Sequence, residues 1–93
     1  MNPLIYKAVA DLRLLSFWYK GSRRLVEPHT FGLRVSGGDG LCAWQVAGGS
    51  AEDFRLFLVE DMSQIECLDQ GFAGPRPGYR QGDRQFSKIY AEL

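Results

Sequence analysis

The chain has 93 residues, the size of one domain, and a domain this small buries only about 60–65% of its unfolded surface, so a modest core is expected. Eleven Lys and Arg residues balance eleven Asp and Glu residues, so the zero net charge excludes a global electrostatic case for nucleic-acid binding. Apolar residues at 45% and aromatic residues at 13% exclude a disordered chain and favour strands over bundled helices.

The first eleven residues predict a helix at about 3–11. Asn2 can cap it and Pro3 suits its first position, because a helix leaves its first N–H groups unpaired. Apolar residues recur at helical spacing through this segment, at Leu4, Ile5, Ala8, Val9 and Leu12.

The pattern then changes to period two, which predicts five short strands at about 14–19, 23–35, 41–47, 54–60 and 62–68. Pro28 has no N–H to donate, so it marks an edge or a bulge in the second strand. Glycine-rich turns at 20–22 and 36–40 and a polar loop at 48–53 separate the strands.

The end of the chain predicts a loop and a second helix. Residues 70–82 are rich in Gly and Pro, which predicts a loop, and Asp83 can cap a helix at about 84–92. The residues that would form its apolar stripe are Phe86, Ile89, Tyr90 and Leu93. The predicted fold is one mainly β domain spanning 1–93, with a five-stranded small barrel at about 13–69 between two helices, because barrel closure removes exposed strand edges.

The chain has only two cysteines and one histidine, which limits the metal sites that it can form. Cys42 and Cys67 are not in a Cys-x-x-Cys pair, so we expect reduced core cysteines, no metal site and no cofactor. No apolar stretch reaches the roughly 18 residues that span a bilayer, and the N-terminus lacks a signal-peptide pattern. We expect a cytoplasmic protein with no membrane partner.

Several short motifs follow one another along the chain. The predicted N-terminal helix leads into Leu-Ser-Phe-Trp-Tyr at 15–19, and Val-Glu-Pro-His follows at 26–29. The later segments are the Trp44 strand at 41–46, Arg-Leu-Phe at 55–57, the apolar strand at 62–68, and the tail from 74–79 through Asp83 and the last helix. In this order the motifs resemble the WYL domain, an Sm-like small barrel found in bacterial transcription factors and in stand-alone proteins, and the tail is similar to that of the short stand-alone form.

The resemblance implies a ligand-sensing domain that regulates a transcription or defence system. It also implies arginines that hold anionic ligands, and two of these are replaced, by Leu58 and Asp61. The literal Trp-Tyr-Leu triplet is absent as well. The chain is therefore expected to bind a less charged ligand, to bind more weakly, or to keep only the fold.

Six residues are candidates for a ligand site: Tyr19, His29, Trp44 and Arg55, with Arg24 and Arg34 extending the cationic surface. Trp44 can stack on a base or pack in the core, and His29 can contact a ligand or be structural. Arg55 lies near Phe54 and Phe57 in a strand that otherwise looks buried, so its charge needs a partner. That partner is either a ligand anion or an internal acid such as Glu27.

The leading functional prediction is a binding module for a nucleotide or single-stranded nucleic acid, acting through a protein partner or as a homodimer. No helix-turn-helix precedes the predicted barrel, so duplex sequence is not expected to be read by this chain alone. The alternative is a structural small-barrel protein that assembles through strand edges. No paired carboxylates, Cys-His pair or metal cluster suggests catalysis, so an enzyme is not expected.

Overall fold

A computed structural model describes residues 1–49 and 52–93, and shows one helix packed on a six-stranded antiparallel sheet. The strand order is β4-β3-β2-β1-β5, and β6 pairs with β2 beside this path. The elements are α1 Pro3–Ala10, β1 Arg13–Tyr19, β2 Ser22–Arg34, β3 Asp39–Ala47, β4 Asp53–Leu58, a single 3₁₀ turn Val59–Asp61, β5 Met62–Gly71 and β6 Phe86–Glu92. The mainly β class is confirmed.

Helix α1 begins as the sequence predicts. The Asn2 side chain accepts hydrogen bonds from the main-chain N–H groups of Leu4 at 2.9 Å and Ile5 at 3.2 Å, and Pro3 is the first helical residue. Ile5, Ala8 and Val9 are buried in the core. None of the described helices has the length and apolar character needed to cross a bilayer.

The long strand β2 organises the sheet because it pairs with three neighbours. Its first half pairs with β1 and its second half with β6, while β3 runs along its other side. β1 in turn pairs with β5. The sheet therefore bends around a core in which the rings of Phe17, Tyr19 and Phe57 meet edge to face.

The prediction of a second helix at 84–92 is wrong, because this segment is strand β6. The second half of β2 extends past its pairing with β1, so its main-chain N–H and C=O groups need other hydrogen-bond partners. Strand β6 supplies these partners, in the register from Thr30↔Glu92 to Arg34↔Phe86. Gly32 permits this approach, since a Cβ there would collide with the carbonyl oxygen of Lys88. Asp83 caps no helix; its carboxylate accepts the N–H of Gln85 at 2.9 Å.

The five-stranded barrel also needs correction, because the sheet has six strands over the described ranges and is not closed. The extra strand is the segment predicted as helix. The predicted polar loop at 48–53 is only partly comparable: residues 50 and 51 lie outside the described residues, and Asp53 already belongs to β4.

Candidate ligand-binding cavity

A β-bulge in strand β2 sets the direction of His29. Pro28 pairs with Ala43 and Thr30 pairs with Cys42, so His29 is an extra residue without a partner in the register of β3. His29 and Thr30, although adjacent, both line one cavity, which neighbouring residues of a regular strand would not do. Of the two alternatives predicted at Pro28, an edge or a bulge, the structure shows the bulge.

His29 is fully buried and both ring nitrogens have partners. Nδ1 lies 2.7 Å from the carbonyl oxygen of Glu27, and Nε2 accepts the main-chain N–H of Arg76 at 3.0 Å. The ring is therefore neutral with its proton on Nδ1, because Nε2 must supply a lone pair. Burial lowers the pKa of His29 from its ordinary value of 6.5, and the nearby Arg76 charge acts in the same direction.

Three aromatic rings surround His29. Phe54 and Tyr79 approach it edge-on, each at 5.1 Å between ring centroids, and Phe72 stacks on it at 6.0 Å. Phe54 comes from β4, whereas Phe72 and Tyr79 come from the segment after β5. The imidazole therefore joins the sheet to the loop that covers it.

Beside His29 lies a cavity of about 440 Å³. Its floor is His29, Thr30 and Cys42 on β2 and β3, Phe54 forms one side, and residues 78–84 form its roof. Its size falls in the range of small-molecule sites, about 300–1,000 Å³. Tyr79 is fixed in the roof by hydrogen bonds between its hydroxyl and Thr30 Oγ1 at 3.3 Å and the carbonyl oxygen of Leu93 at 3.3 Å.

The mouth of the cavity carries two cations. Arg80 and Arg84 line it and are exposed, and across the described part of the chain neither guanidinium has an ion pair or hydrogen bond. Aromatic rings inside and unpaired guanidiniums at the entrance suit a planar ligand that carries negative charge.

Cys42 in the cavity floor is not poised for nucleophilic chemistry. Burial, together with the carboxylate of Asp83, raises the pKa of its thiol from 9.0 to about 11. The reactive form of cysteine is the thiolate, so near neutral pH this side chain is a protonated, unreactive thiol. No group of three or more potential metal ligands comes together within residues 1–49 and 52–93.

Next to the cavity, Arg76 is held by two side chains of the sheet. Its Nε and Nη2 donate to the two carboxylate oxygens of Glu27 at 2.7 Å and 3.0 Å, and its guanidinium lies 5.1 Å from the centre of the Trp44 ring. Trp44 also meets Phe54 edge to face at 5.1 Å. A second, open cavity of about 500 Å³ lies beside Glu27, Arg76 and residues 73–75.

The structure brings together only part of the site expected from the sequence. His29 lines the cavity, and Trp44 is joined to it through Phe54. Tyr19 is in the core, where its hydroxyl accepts the N–H of Leu58 at 3.1 Å. Arg24 packs on the Tyr19 ring at 5.6 Å and donates to Gln45 Oε1 at 2.8 Å.

The remaining two arginines also lie outside the cavity lining. Arg34 donates to Ser36 Oγ at 2.8 Å in the turn after β2. Arg55 is exposed on β4, paired in register with Ala43, and lines neither of the two cavities. Glu27, which the sequence offered as a partner for Arg55, holds Arg76.

Sequence reasoning missed the residues that the loop contributes: Phe72, Arg76, Tyr79, Arg80 and Arg84. Glycine and proline predicted a loop at 70–82; residues 70 and 71 belong to β5, and the loop runs from 72 to 85. No periodic pattern indicates which face of a sheet a loop covers. The available signal was the unusual content of aromatic and arginine side chains within a Gly/Pro-rich segment.

Comparison with known proteins adds no family assignment to this geometry. No family model matches the chain, and neither the curated proteins nor the solved structures give a significant match. Conclusions about function therefore depend on the cavity and on the motifs of the sequence.

Proposed function

We propose that this chain is a ligand-sensing regulatory domain, similar to WYL domains, that binds a nucleotide or an end of single-stranded nucleic acid in the cavity beside His29. The observation that carries the proposal is the combination of an aromatic-lined cavity with two guanidiniums at its mouth that lack partners among the described residues. A base enters between the rings, and phosphate oxygens reach Arg80 and Arg84.

The contacts available in the cavity match the parts of a nucleotide. Phe54 and Tyr79 offer ring surfaces on which a base can stack, an interaction worth about 1–3 kcal/mol per base. Thr30 and the main chain of the roof offer hydrogen bonds to the sugar or to base edges. Arginine binds phosphate through two parallel bonds, and each charge-assisted bond adds about 1.5–3 kcal/mol.

The resemblance to WYL domains supports a sensing role. The motifs at 15–19, 26–29 and 55–57 fall on strands β1, β2 and β4, as the resemblance implies for strand motifs, and a short turn joins β4 to β5. Leu58 and Asp61 replace two arginines expected to hold an anion. In this chain Arg80 and Arg84 take that role from the roof, so a bound phosphate orders the roof and changes the surface offered to a transcription or defence partner.

Fluorescence polarisation tests the proposal with two labelled probes, a cyclic nucleotide and a 5′-phosphorylated single-stranded oligonucleotide, which distinguish a free nucleotide from a nucleic-acid end. We expect binding at or below about 100 μM protein, and at least a tenfold loss in the double variant Arg80→Ala/Arg84→Ala, since each tenfold is about 1.4 kcal/mol. The matched control is Arg55→Ala, which should bind as the unmodified chain does.

The outcome also separates two placements of the site. If Arg55→Ala loses binding while Arg80→Ala/Arg84→Ala keeps it, the site predicted from the sequence is right and the cavity is not the site. If neither probe binds at about 100 μM, the sensing function is overturned.

A structural role without a small ligand is the second candidate, because the sheet has unpaired edges. Within the described residues, β4 and β5 each pair with a single strand, and Trp18 is 42% exposed on β1. Edge strands and exposed aromatic side chains are typical of assembly surfaces. Sedimentation velocity tests this role: a stable homo-oligomer that binds neither probe would favour it, and a monomer that binds a probe would exclude it.

A further inference from the structure

Arg76 is bound by the sheet in the way that a recognition site binds a foreign arginine. Glu27 takes its guanidinium with two parallel hydrogen bonds, Trp44 lies under the guanidinium, and His29 accepts its main-chain N–H. We call these three residues, Glu27, His29 and Trp44, the arginine cradle. All three belong to β2 and β3, whereas Arg76 belongs to the loop that follows β5.

The cradle is selective for arginine. Arg76 donates from two nitrogens to the two carboxylate oxygens of Glu27, a paired geometry that a lysine ammonium cannot reproduce, and its guanidinium lies over an indole. Glu27 is only 8% exposed, so its carboxylate needs a cation at this position. His29 adds recognition of the main chain, because its neutral Nε2 accepts from the N–H of the arginine itself.

The segment that supplies Arg76 lies on the sheet in the manner of a bound peptide and is not one of its strands. Pro77 restricts Arg76 to an extended conformation, as a peptide ligand would be. Gly74 and Gly78 flank it with φ values of +149° and +93°. For residues 73–78, the Arg76 N–H gives the single main-chain hydrogen bond to the sheet that the described residues show.

The cradle also keeps an unused donor. The indole N–H of Trp44 is buried and has no hydrogen-bond partner among the described residues. Buried polar groups in proteins are almost always paired, so this N–H is open to an acceptor that the docked loop does not supply.

We infer that the arginine cradle is a binding site for an extended, arginine-bearing segment of a partner protein, and that Arg76 fills it in cis until that segment displaces it. The arginine cradle and the cavity beside His29 take different classes of ligand, a peptide segment and a nucleotide. The two are linked through the loop, because residues 78–84 that follow Arg76 form the cavity roof. Displacement of Arg76 therefore loosens the roof.

The test removes the Arg76 guanidinium from Glu27 and Trp44 in the full chain and offers an arginine in trans. The probe is a fluorescein-labelled peptide Gly-Pro-Arg-Pro-Gly-Tyr, a copy of residues 74–79, and its control is the same peptide with lysine in place of arginine. We expect Arg76→Ala to bind the arginine peptide at least tenfold more tightly than the unmodified chain does. The reason is that the unmodified chain presents its own Arg76 at an effective concentration in the millimolar range.

Three further measurements make the test decisive. The lysine peptide should bind Arg76→Ala at least tenfold more weakly, and Glu27→Gln/Arg76→Ala should lose the preference for arginine. Because Arg76→Ala leaves Glu27 without its cation and can unfold in part, the midpoint of thermal unfolding is recorded with each peptide, since a ligand stabilises the state that binds it. The arginine peptide alone should raise that midpoint.

Equal binding of the two peptides by Arg76→Ala overturns the proposal, and so does binding by the unmodified chain as tight as by Arg76→Ala. A midpoint that neither peptide raises overturns it as well, because a cradle that recognises arginine must be stabilised when arginine refills it.

Discussion

The N–H of Arg76 donates to Nε2 of His29 at 3.0 Å, and this bond ties the protonation of the imidazole to the position of the loop. A second proton on Nε2 would point at an N–H donor and lie near the Arg76 guanidinium. Nδ1 lies 2.7 Å from the Glu27 carbonyl oxygen and donates to it, so the two ring nitrogens cannot exchange the roles of donor and acceptor. The docked loop and the neutral ring therefore require each other.

The chain should lose stability as pH falls through the range where histidine ordinarily titrates. Burial lowers the pKa of His29 below 6.5, so between 6.5 and that lower pKa the imidazole binds a proton in the unfolded state but not in the folded state. The contribution of His29 is thus complete above about pH 6.5 and is lost as pH falls from there toward the lower pKa of the folded state. Urea unfolding at pH 7.5 and pH 5.0 measures it, since carboxylates titrate mostly below this range.

The variant His29→Gln is the matched control, because an amide can donate to Glu27 and accept from Arg76 without titrating. His29 is the single histidine of the chain, so the variant removes all imidazole titration. Its free energy of unfolding should vary less between the two pH values than that of the unmodified chain. Equal pH dependence of the two proteins would contradict the neutral, buried ring.

The local parts of the fold could be predicted because they depend on neighbouring residues. Asn2 and Pro3 specify the start of α1, and Pro28 specifies a bulge, since each acts on its own main chain. Phe86, Ile89 and Tyr90 fit a helical stripe, yet the open hydrogen-bonding edge of β2 takes this segment as a strand. Over so short a segment, the partner decides between helix and strand more than the pattern does.

The sequence could point to single candidate residues in strands, but not to their partners in the loop. His29 was chosen because it is the one histidine of the chain, and Trp44 because its large flat ring can stack on a base. Their partner Arg76 is 49 positions from Glu27 along the chain, and no periodicity connects residues that far apart. Tyr19 was placed in the site because its hydroxyl could reach a polar group of a pocket. Its strand has apolar residues on both faces, so the sequence could not tell the core face from a cavity face.

Tyr19 should act on stability and not on ligand binding. Its hydroxyl accepts the N–H of Leu58 at 3.1 Å at a part-buried position, so Tyr19→Phe leaves that donor unpaired at a cost of about 1–3 kcal/mol. Urea unfolding measures the loss, and polarisation with the nucleotide probe should be unchanged. Tyr6→Phe is the control: Tyr6 is 41% exposed on α1, and its change should stay within about 0.5 kcal/mol. Loss of probe binding in Tyr19→Phe with unchanged stability would return Tyr19 to the site.

Strand β6 depends on the absence of a side chain at Gly32. In Gly32→Ala the new methyl group would collide with the Lys88 carbonyl oxygen and lie 3.0 Å from the Ile89 Cα, so β6 must move off β2. Overpacking of this kind costs about 1–3 kcal/mol. Hydrogen exchange should show faster exchange at residues 86–92, whereas Lys88→Ala, which trims an exposed side chain, should leave them protected. Unchanged exchange in Gly32→Ala would contradict the pairing of β6 with β2.

The thiol of Cys42 reports directly on the cavity floor. Burial and Asp83 raise its pKa from 9.0 to about 11, so at pH 8 the folded chain holds about a hundredfold less Cys42 thiolate than the unfolded chain does. Iodoacetamide should therefore alkylate Cys42 at least tenfold more slowly in buffer than in urea, measured in Cys67→Ser so that one thiol remains, since the higher nucleophilicity of a thiolate of raised pKa offsets only part of its scarcity. Asp83→Asn removes the neighbouring charge, lowers the pKa of Cys42, and should speed alkylation of the folded protein. Rates that are equal in buffer and urea would mean that the thiol is open to solvent as a thiolate, and that the floor of the cavity is not built as described.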